Sequence, residues 1–215
     1  MEIGTGTGYG IDIIAPSVER FVTMDKTRSE ELGAMPENVE FVEAVVPPLP
    51  FADESFDYVV SFQVIEHIKR DKELVREVHR VLKKGGKFIV STPNRSMSLT
   101  RNPWHIREYT AEQFGALLSD FAEVEALGVV GNERVWSYYE KNRESVRRIT
   151  RFDIFKMQWW MPRWVLQIPY DILNRLNRRR LHSENRALTE NIAMEDYMLK
   201  SVDNECFDLF YIATK

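Results

Sequence analysis

Residues 1–10 read MEIGTGTGYG, in which four glycines alternate with other residues. EIG predicts the end of a strand, the glycines predict a turn, and the residues after them predict an amphipathic helix. A strand, a glycine-rich turn and a helix together bring backbone N–H groups and a helix N-terminus against a ligand. The stretch therefore predicts a ligand-binding loop in an α/β domain.

Two common glycine motifs do not match this loop. G-x-G-x-x-G fails in every register: the third glycine position holds Tyr9 after Gly4 and Gly6, and Ile11 after Gly6 and Gly8. No Gly-Lys-Ser/Thr follows either. What remains is E-x-G-x-G-x-G, with Glu2 before the turn. Asp25 ends a second predicted strand, RFVTMD, 21 residues after Gly4. A carboxylate there can accept both hydroxyls of a ribose, so a ribose-bearing ligand without a diphosphate fits best.

Strand and helix patterns alternate from this loop to about Leu127. The predicted strands are VEFVEAV, FDYVVSF, KFIVS and VEALGVV, and the chain ends in a further alternating strand, CFDLFYIAT. RDKELVREVHRVLKKGG predicts a helix that Asp71 caps and Gly85-Gly86 ends. In YTAEQFGALL, Thr110 and Gln113 predict a capping box. This alternation indicates an α/β sheet of mostly parallel strands.

The segment between this sheet and the last strand differs in composition. We assign residues 1–130 and 205–215 to the sheet domain and residues 131–204 to a helical, basic and aromatic insertion. From Arg143 to Arg186 there are 11 basic and 4 acidic residues, whereas the net charge of the chain is −4. This segregation indicates a surface that meets something anionic, or else a solvated basic face.

Composition excludes several other classes of protein. The chain has 215 residues, of which 44% are hydrophobic, and no apolar run long enough to span a bilayer. We expect no signal peptide before the glycine-rich start. Cys206 is the only cysteine, so an internal disulfide is impossible and a reducing cytoplasm is the expected location.

At this point the sequence resembles the class I S-adenosylmethionine-dependent methyltransferases. EIGTGTGYG, FVTMD, LPFADESFDYVVSFQVIEHI and EVHRVLKKGGKFIVSTPN match the family's motifs in order and spacing. The resemblance covers residue 1 to about residue 127 and the final strand. It implies a Rossmann-like, seven-stranded, mostly parallel sheet with an antiparallel last strand beside the fifth. The helical insertion would then precede that last strand.

The resemblance also implies a cofactor site for S-adenosylmethionine. Gly4, Thr5 and Gly6 would pass under the methionine part, and Asp25 would hold the ribose. Phe62 and Gln63 would line the methyl donor. The full set of expected cofactor-binding residues is Glu2, Gly4, Thr5, Gly6, Gly8, Asp25, Lys26, Val46, Phe62 and Gln63. Many relatives carry an Asp that receives the adenine amino group where this chain has Val45. Here Val45 or Val46 offers only apolar packing and backbone groups.

A second departure concerns the beginning of the chain. Relatives have a longer first strand and one or more helices before it, which often close over the cofactor. We expect either a chain that is truncated at its N-terminus or an insertion that supplies the lid. We favour truncation, because a strand of three or four residues is short for the centre of a sheet.

A group of polar residues predicts the chemistry. Gln63, Glu66 and His67 would share one face if a helix begins there, and His105 follows the fifth strand. The pattern resembles a subset of the family with E-x-x-E-H, such as small-RNA 2′-O-methyltransferases and ubiquinone-pathway O-methyltransferases. Carried over by position, these four residues would bind a divalent metal. Because Gln63 replaces a Glu, Mn²⁺, Fe²⁺ or Zn²⁺ would suit the site better than Mg²⁺.

Alternatives to a metal remain open. His105 or His67 can act as a metal-free general base that removes the proton of an acceptor hydroxyl. In the simplest alternative, His67 only packs at a helix start and His105 only orients a loop.

The insertion contains a further candidate surface. Residues 156–181 combine tryptophans, arginines and an apolar stripe, which fits either a lid or peripheral contact with an anionic membrane, at the inner membrane surface. Nucleic acid is not favoured, because the rest of the chain is acidic.

The function expected from these features is methyl transfer from S-adenosylmethionine, at oxygen, to a small-molecule, sugar or lipid-linked acceptor. The STPN…NPWHIREYT pattern also resembles methyltransferases of bacterial surface-polysaccharide synthesis. The alternatives are a non-catalytic or truncated cofactor-binding protein and a membrane-surface docking protein.

Overall fold

The fold is built on one eight-stranded sheet. The computed structural model describes residues 1–151, 160–184 and 192–215, except for the side chains of residues 149, 178 and 180–184. The strands are β1 Glu2–Ile3, β2 Phe21–Asp25, β3 Val39–Glu43, β4 Phe56–Phe62, β5 Leu82–Pro93, β6 Glu123–Gly131, β7 Tyr197–Ser201 and β8 Asp208–Thr214. The helices are α1 Tyr9–Ile14, α2 Asp71–Val81, α3 Ala111–Leu117, α4 Glu133–Thr150 and α5 Arg163–Glu184.

The strands follow the order β3-β2-β1-β4-β5-β8-β6-β7. The pairs from β3 to β5 are parallel, and β8 lies antiparallel between β5 and β6. The mostly parallel sheet with an antiparallel last strand beside the fifth is therefore confirmed. The strand order reverses between β1 and β4, and such a switch point opens a crevice at the carboxyl ends of the strands.

The expected number of strands, seven, is wrong by one. The additional strand is β7, which pairs antiparallel with β6 at the edge of the sheet. All five residues of β7 are exposed, so the strand lacks the alternation of buried and exposed residues that reveals a half-buried strand. Residues 131–204, expected to be helical, thus contain α4, α5 and this strand.

Helix α2 covers one face of the sheet. Leu74, Val75, Val78 and Val81 are each 2% exposed or less and form its apolar face. The helix ends at Val81 and β5 begins at the next residue, so the expected end at Gly85-Gly86 is wrong.

The start of α2 also differs from its expectation. Asp71 is the first residue of the helix, and the preceding Arg70 occupies the capping position without a side-chain bond. The Asp71 carboxylate instead accepts hydrogen bonds from Arg107 and from the Tyr109 hydroxyl, the latter at 2.7 Å. Asp71 therefore fastens the chain after β5 to the start of α2.

Two local features complete the description. The capping box of Thr110 and Gln113 at the start of α3 is confirmed. Among the residues that the structure describes, no helix combines the length and the apolar character needed to cross a bilayer.

Candidate functional site

The glycine loop joins β1 to α1 at the switch point. Gly4, Gly6 and Gly8 have φ values of 93°, 52° and 102°. These left-handed conformations favour glycine over residues with a side chain. The N–H groups of Gly4 and Thr5 both donate to the carbonyl of Met24, at 2.8 and 3.1 Å, so the loop is fastened to β2.

The three glycines of the loop differ in what surrounds them. A Cβ placed on Gly4 would lie 2.4 Å from Cγ2 of Val64, and one on Gly8 would lie 2.8 Å from Leu32. A Cβ on Gly6 would meet no atom of the described residues within 4 Å. Gly4 and Gly8 are thus enclosed by protein, whereas the surface at Gly6 is open to a ligand.

Asp25 closes the loop from the carboxyl end of β2. Its Oδ2 accepts the N–H of Gly6 at 3.0 Å, and its Oδ1 accepts the N–H of Lys26 at 2.7 Å. Each carboxylate oxygen has a second lone pair, so the group can still accept two ribose hydroxyls. The Lys26 side chain is exposed, and its contact with the cofactor stays a prediction.

Glu2 lies beneath the loop and is 5% exposed. The Thr23 hydroxyl donates to Oε2 of Glu2 at 2.6 Å and lies 2.7 Å from the Thr5 hydroxyl, which therefore donates to it. Burial raises the pKa of Glu2, although the bond from Thr23 opposes that shift. Glu2 positions the loop through two threonines, and a direct contact with the cofactor stays a prediction.

Replacing Thr23 by Val should destabilise the loop. The substitution conserves shape but leaves the buried Glu2 carboxylate and the Thr5 hydroxyl without their partner. We expect the free energy of unfolding in urea to fall by about 1–3 kcal/mol. Thr27→Val, at an exposed position, is the matched control and should change it by less than about 0.5 kcal/mol. Equal losses in both variants would contradict this role of Thr23.

Apolar side chains flank the crevice on either side of the loop. Val45 is 77% exposed after β3, and its neighbour Val46 is half-buried against the core. Phe62, 40% exposed at the end of β4, stacks on Phe210 at a ring distance of 6.0 Å. The valines can pack on an aromatic base. The assignments of Val46 to the adenine and of Phe62 to the methyl donor stay predictions.

The expectation that Gln63 shares a helix face with Glu66 and His67 is wrong. It has φ 56°, and a short 3₁₀ helix, Ile65–His67, begins only after it. The Gln63 amide donates to Oγ of Ser91 at 3.3 Å, and its side chain also hydrogen-bonds to Asp208. Burial raises the pKa of Asp208, and the bond from Gln63 lowers it. Gln63 as a metal ligand therefore stays a prediction, and it would use the carbonyl oxygen because the amide nitrogen is the donor in these bonds.

The other three predicted residues do meet. One donor atom from each of Glu66, His67 and His105 lies within 4.8 Å of the others. The two imidazole rings are 5.0 Å apart and nearly perpendicular. Glu66 is 1% exposed and accepts a hydrogen bond from the Thr92 hydroxyl at 3.2 Å, and burial raises its pKa.

Backbone contacts bring these residues together although they are far apart in sequence. The N–H groups of Ile106 and Arg107 donate to the carbonyl of Glu66, at 2.7 and 3.2 Å. Asn94 forms a parallel bridge with Tyr109. The chain after β5 is thus held against the turn after β4, and His105 is carried to His67.

His67 has a defined tautomer. Its Nδ1 lies 3.0 Å from the Trp104 carbonyl, which can only accept, so Nδ1 carries the proton. Nε2 then holds a lone pair and lies 3.9 Å from Oε1 of Glu66. Burial lowers the pKa of His67, against the carbonyl's opposing influence, so the ring is neutral at pH 7.

His105 forms a pair with Glu108. Its Nδ1 donates to Oε1 of Glu108 at 2.7 Å, and its Nε2 accepts the amide N–H of Asn102 at 2.8 Å. The Asn102 oxygen accepts the N–H of Trp104, which fixes the orientation of the amide. Burial alone would raise the pKa of Glu108, but bonds from His105 and Ser98 lower it, so the carboxylate is ionised.

A cavity of about 990 Å³ lies beside this pair. His105 and Glu108 form part of its wall, and the rest comes from residues 93–103, α4, Met161 and α5. The lining is largely apolar with several amide and phenol groups among it: Met97, Leu99, Leu166, Leu173, Asn142 and Tyr138. A cavity of this size accommodates an organic molecule of several hundred daltons.

Hydrogen bonds hold the two helices over the cavity. Asn177 of α5, 8% exposed, accepts from the Ser145 hydroxyl at 2.5 Å and donates to Asn142 at 2.8 Å, both on α4. The indole N–H of Trp104 donates to Asp171 of α5 at 2.9 Å. The loop that carries His105 is therefore bonded to the wall of the cavity.

Several residues of this site were missed in the sequence. Glu108 follows His105 at a spacing of three, and Asp208 begins the last strand, yet neither position differs from an ordinary surface acid in sequence. Asn102 belongs to the Asn-Pro-Trp-His run, where a turn residue is expected in any case. The His105–Glu108 spacing is the one signal that could have been used.

The sheet order, the glycine loop and the carboxylate at the end of β2 define the class I methyltransferase type of fold. Residues 1–90 match the family model described as methyltransferase domain. The resemblance to the class I S-adenosylmethionine-dependent methyltransferases is therefore confirmed over this part of the chain.

The relatives agree with this assignment. A probable S-adenosylmethionine-dependent methyltransferase of Mycobacterium tuberculosis is 38% identical over 144 residues, which are 63% of this chain and 53% of that protein. An uncharacterized methyltransferase of Bacillus subtilis, YcgJ, is 29% identical over 139 residues, 55% of this chain and 54% of that protein. The chain thus spans about half the length of the curated relatives it matches.

Solved structures share the fold. A structure from Thermotoga maritima, described as a possible histamine N-methyltransferase, has a TM-score of 0.57 at 18% identity. The superposition covers 100% of this chain and 80% of the Thermotoga maritima chain. At this identity the likeness concerns the fold alone.

Proposed function

We propose that the protein transfers the methyl group of S-adenosylmethionine to an oxygen atom of a small-molecule, sugar or lipid-linked acceptor. The observation that carries this proposal is the His105–Glu108 pair, which lines a large cavity. The His105 ring also lies 5.0 Å from the ring of His67 in the turn after β4. An oxygen acceptor needs a base because a hydroxyl is a poor nucleophile at neutral pH, and this pair supplies one.

The residues of the crevice fit S-adenosylmethionine. The surface at Gly6 is open where a Cβ would protrude, and the Asp25 carboxylate can accept ribose hydroxyls. Val45 offers apolar surface for the adenine, and Phe62 offers apolar surface beside the methyl donor. When bound, the sulfonium group supplies an electrophilic methyl group.

The His105–Glu108 pair then removes the proton of the acceptor hydroxyl. The acceptor hydroxyl replaces the Asn102 amide at Nε2 of His105 and gives its proton to that nitrogen. Glu108 holds the proton on Nδ1 and stabilises the imidazolium ion, as a carboxylate does beside a histidine base. The oxygen attacks the methyl carbon in line with the carbon–sulfur bond, which breaks with its electron pair on sulfur. The products are a methyl ether and S-adenosylhomocysteine.

A divalent metal is a second candidate because three donors converge. Glu66, His67 and His105 form a set of one carboxylate and two imidazoles, which suits Mn²⁺, Fe²⁺ or Zn²⁺. The Nε2 lone pair of His67 is oriented for such a role by the Trp104 carbonyl. When bound, the metal would lower the pKa of the acceptor hydroxyl.

Calorimetric titration with S-adenosylhomocysteine tests the proposal first. We expect micromolar binding, about −8 kcal/mol, and a loss of at least tenfold in Asp25→Ala. Asp120→Ala, which changes an exposed acid in the turn after α3, should bind like the wild type. Absence of binding to the wild type would contradict a cofactor site in this chain and favour the non-catalytic alternative.

Titration with Mn²⁺ after treatment with a chelator separates the metal from the metal-free base. A metal site predicts binding that is lost in both Glu66→Gln and His67→Gln and is retained in the exposed control Glu112→Gln. Absence of Mn²⁺ binding, together with methyl transfer in the presence of the chelator, would rule out the metal.

A further inference from the structure

An exposed row of large apolar side chains runs along the outward side of α5. Trp164, Ile168, Ile172 and Leu176 are 74%, 71%, 55% and 56% exposed. They recur at steps of four residues, and at about 3.6 residues per turn such steps remain on one side of a helix. Trp160, just before the helix, is 65% exposed. Single exposed apolar residues are ordinary, but a contiguous row indicates a contact surface.

The same side of α5 is basic. Arg175 and Arg179 are exposed; Arg175 lies between Ile172 and Leu176, and Arg179 follows Leu176. Asp171 is the one acid among the α5 side chains that the structure describes, and it is engaged by the Trp104 indole. The surface therefore combines tryptophan, aliphatic side chains and arginine.

The opposite side of α5 already has its partners. Leu166 and Leu173 line the cavity, and Asn177 is bonded to Ser145 and Asn142 of α4. The helix is thus held on the protein through one side, so the outward row is not needed for that packing. Residues 156–159 of the segment considered for membrane contact lie outside the described residues.

We propose that the outward side of α5 docks on an anionic lipid surface. Tryptophan and aliphatic side chains insert at the boundary between headgroups and acyl chains, while arginines reach up to the phosphates. Segment 143–186 carries 11 basic against 4 acidic residues in a chain of net charge −4. The remaining acidic surface is repelled by anionic lipid, so α5 is the side that faces the bilayer.

The alternative occupants fit this surface less well. In a two-fold contact between α5 of one copy and α5 of another, the arginines beside the apolar row would approach each other without intervening acids, because Asp171 is bonded to Trp104. A lipid surface, by contrast, supplies negative charge and an apolar layer at adjacent depths.

Docking also narrows the class of acceptor, and this step rests on the proposed function. Helix α5 separates the proposed lipid surface from the cavity that His105 lines. An amphiphilic acceptor held in the membrane by an apolar chain can enter a largely apolar cavity at that boundary. We therefore favour the lipid-linked acceptor among the three classes.

Vesicle sedimentation tests the docking without cofactor or acceptor. We expect the wild type to sediment with vesicles of phosphatidylglycerol and phosphatidylcholine more than with phosphatidylcholine alone. Ile168→Gln/Ile172→Gln should lower the partition coefficient at least about tenfold, because two aliphatic side chains that insert into the bilayer are lost. Arg175→Gln/Arg179→Gln should lower it about tenfold or more on the anionic vesicles.

Two exposed positions elsewhere provide matched controls. Met194→Gln and Lys84→Gln change the same kinds of side chain away from α5 and should sediment like the wild type. Tryptophan quenching by brominated lipid should also fall in Trp164→Phe, whose surface change is small enough to conserve the fold.

Three outcomes would overturn the docking. They are equal sedimentation of the α5 variants and the controls, no dependence on anionic lipid, and a concentration-dependent dimer that the same variants abolish. Because neither S-adenosylmethionine nor turnover enters the assay, a failure of the proposed function leaves these results unaffected.

Discussion

Gly6→Ala should abolish measurable binding of S-adenosylhomocysteine while the fold remains intact. At φ 52°, Gly6 has a left-handed conformation that alanine adopts at a cost of about 1–2 kcal/mol. Its Cβ would meet no described protein atom within 4 Å, so the added methyl group enters only the space at the loop's open side. We expect the dissociation constant to rise at least about a hundredfold, equivalent to about 3 kcal/mol.

Substitutions at two other glycines serve as comparisons for this result. Gly33→Ala adds a Cβ that likewise meets nothing within 4 Å of the described residues, and it should bind normally. Gly4→Ala would instead place a Cβ 2.4 Å from Val64 at φ 93°, so it should lower the unfolding temperature as well as the affinity. Normal affinity in Gly6→Ala would mean that the ligand does not approach this loop. Calorimetry and thermal unfolding together distinguish these cases.

The parts of the fold that were predictable are those fixed by neighbouring residues. The loop at Gly4–Gly8 follows from a run of glycines between a strand and a helix, and the capping box from Thr110 and Gln113. The buried strand β4 follows from the apolar FDYVVSF run. In each case the local sequence and the tertiary environment favour the same structure.

The parts that were missed depend on distant partners. All five residues of strand β7 are exposed, and the strand forms by pairing with the open edge of β6. The sequence of β7 alone does not indicate this pairing. Asp71 was expected to cap α2, but the hydroxyl of Tyr109, 38 residues away, binds its carboxylate instead. The turn at Gln63 depends in the same way on Ser91 and Asp208 from two other strands.

The site shows the same division. The convergence of Glu66, His67 and His105 was predictable, because residues after neighbouring parallel strands meet at one edge of the sheet. The partner of each ring was not, because the Trp104 carbonyl and Glu108 are placed by the path of a loop. Those partners decide which nitrogen carries the proton, and hence which chemistry each imidazole can perform.

The largest effect on turnover is expected at His105. His105→Asn removes the nitrogen that accepts the acceptor's proton, so kcat should fall by about 10²–10⁴ while the affinity for S-adenosylhomocysteine stays within about twofold. Glu108→Gln keeps an oxygen for Nδ1 but removes the charge that stabilises the imidazolium ion. It should lower kcat by about tenfold or more and leave KM for the acceptor largely unchanged. The exposed Glu112→Gln is the control for the loss of a carboxylate.

The pattern across four variants then distinguishes the two mechanisms for the same cluster. A metal-free base predicts that His105→Asn and Glu108→Gln are the most damaging changes and that added Mn²⁺ restores neither. A metal predicts instead that Glu66→Gln and His67→Gln are as damaging as His105→Asn, because the three donors that lie within 4.8 Å act as one set. Single-turnover rates with a fixed acceptor measure this directly, since they report the chemical step apart from product release. If His105→Asn turned over at the wild-type rate, neither mechanism would hold, and His105 would serve only to orient the loop between β5 and α3.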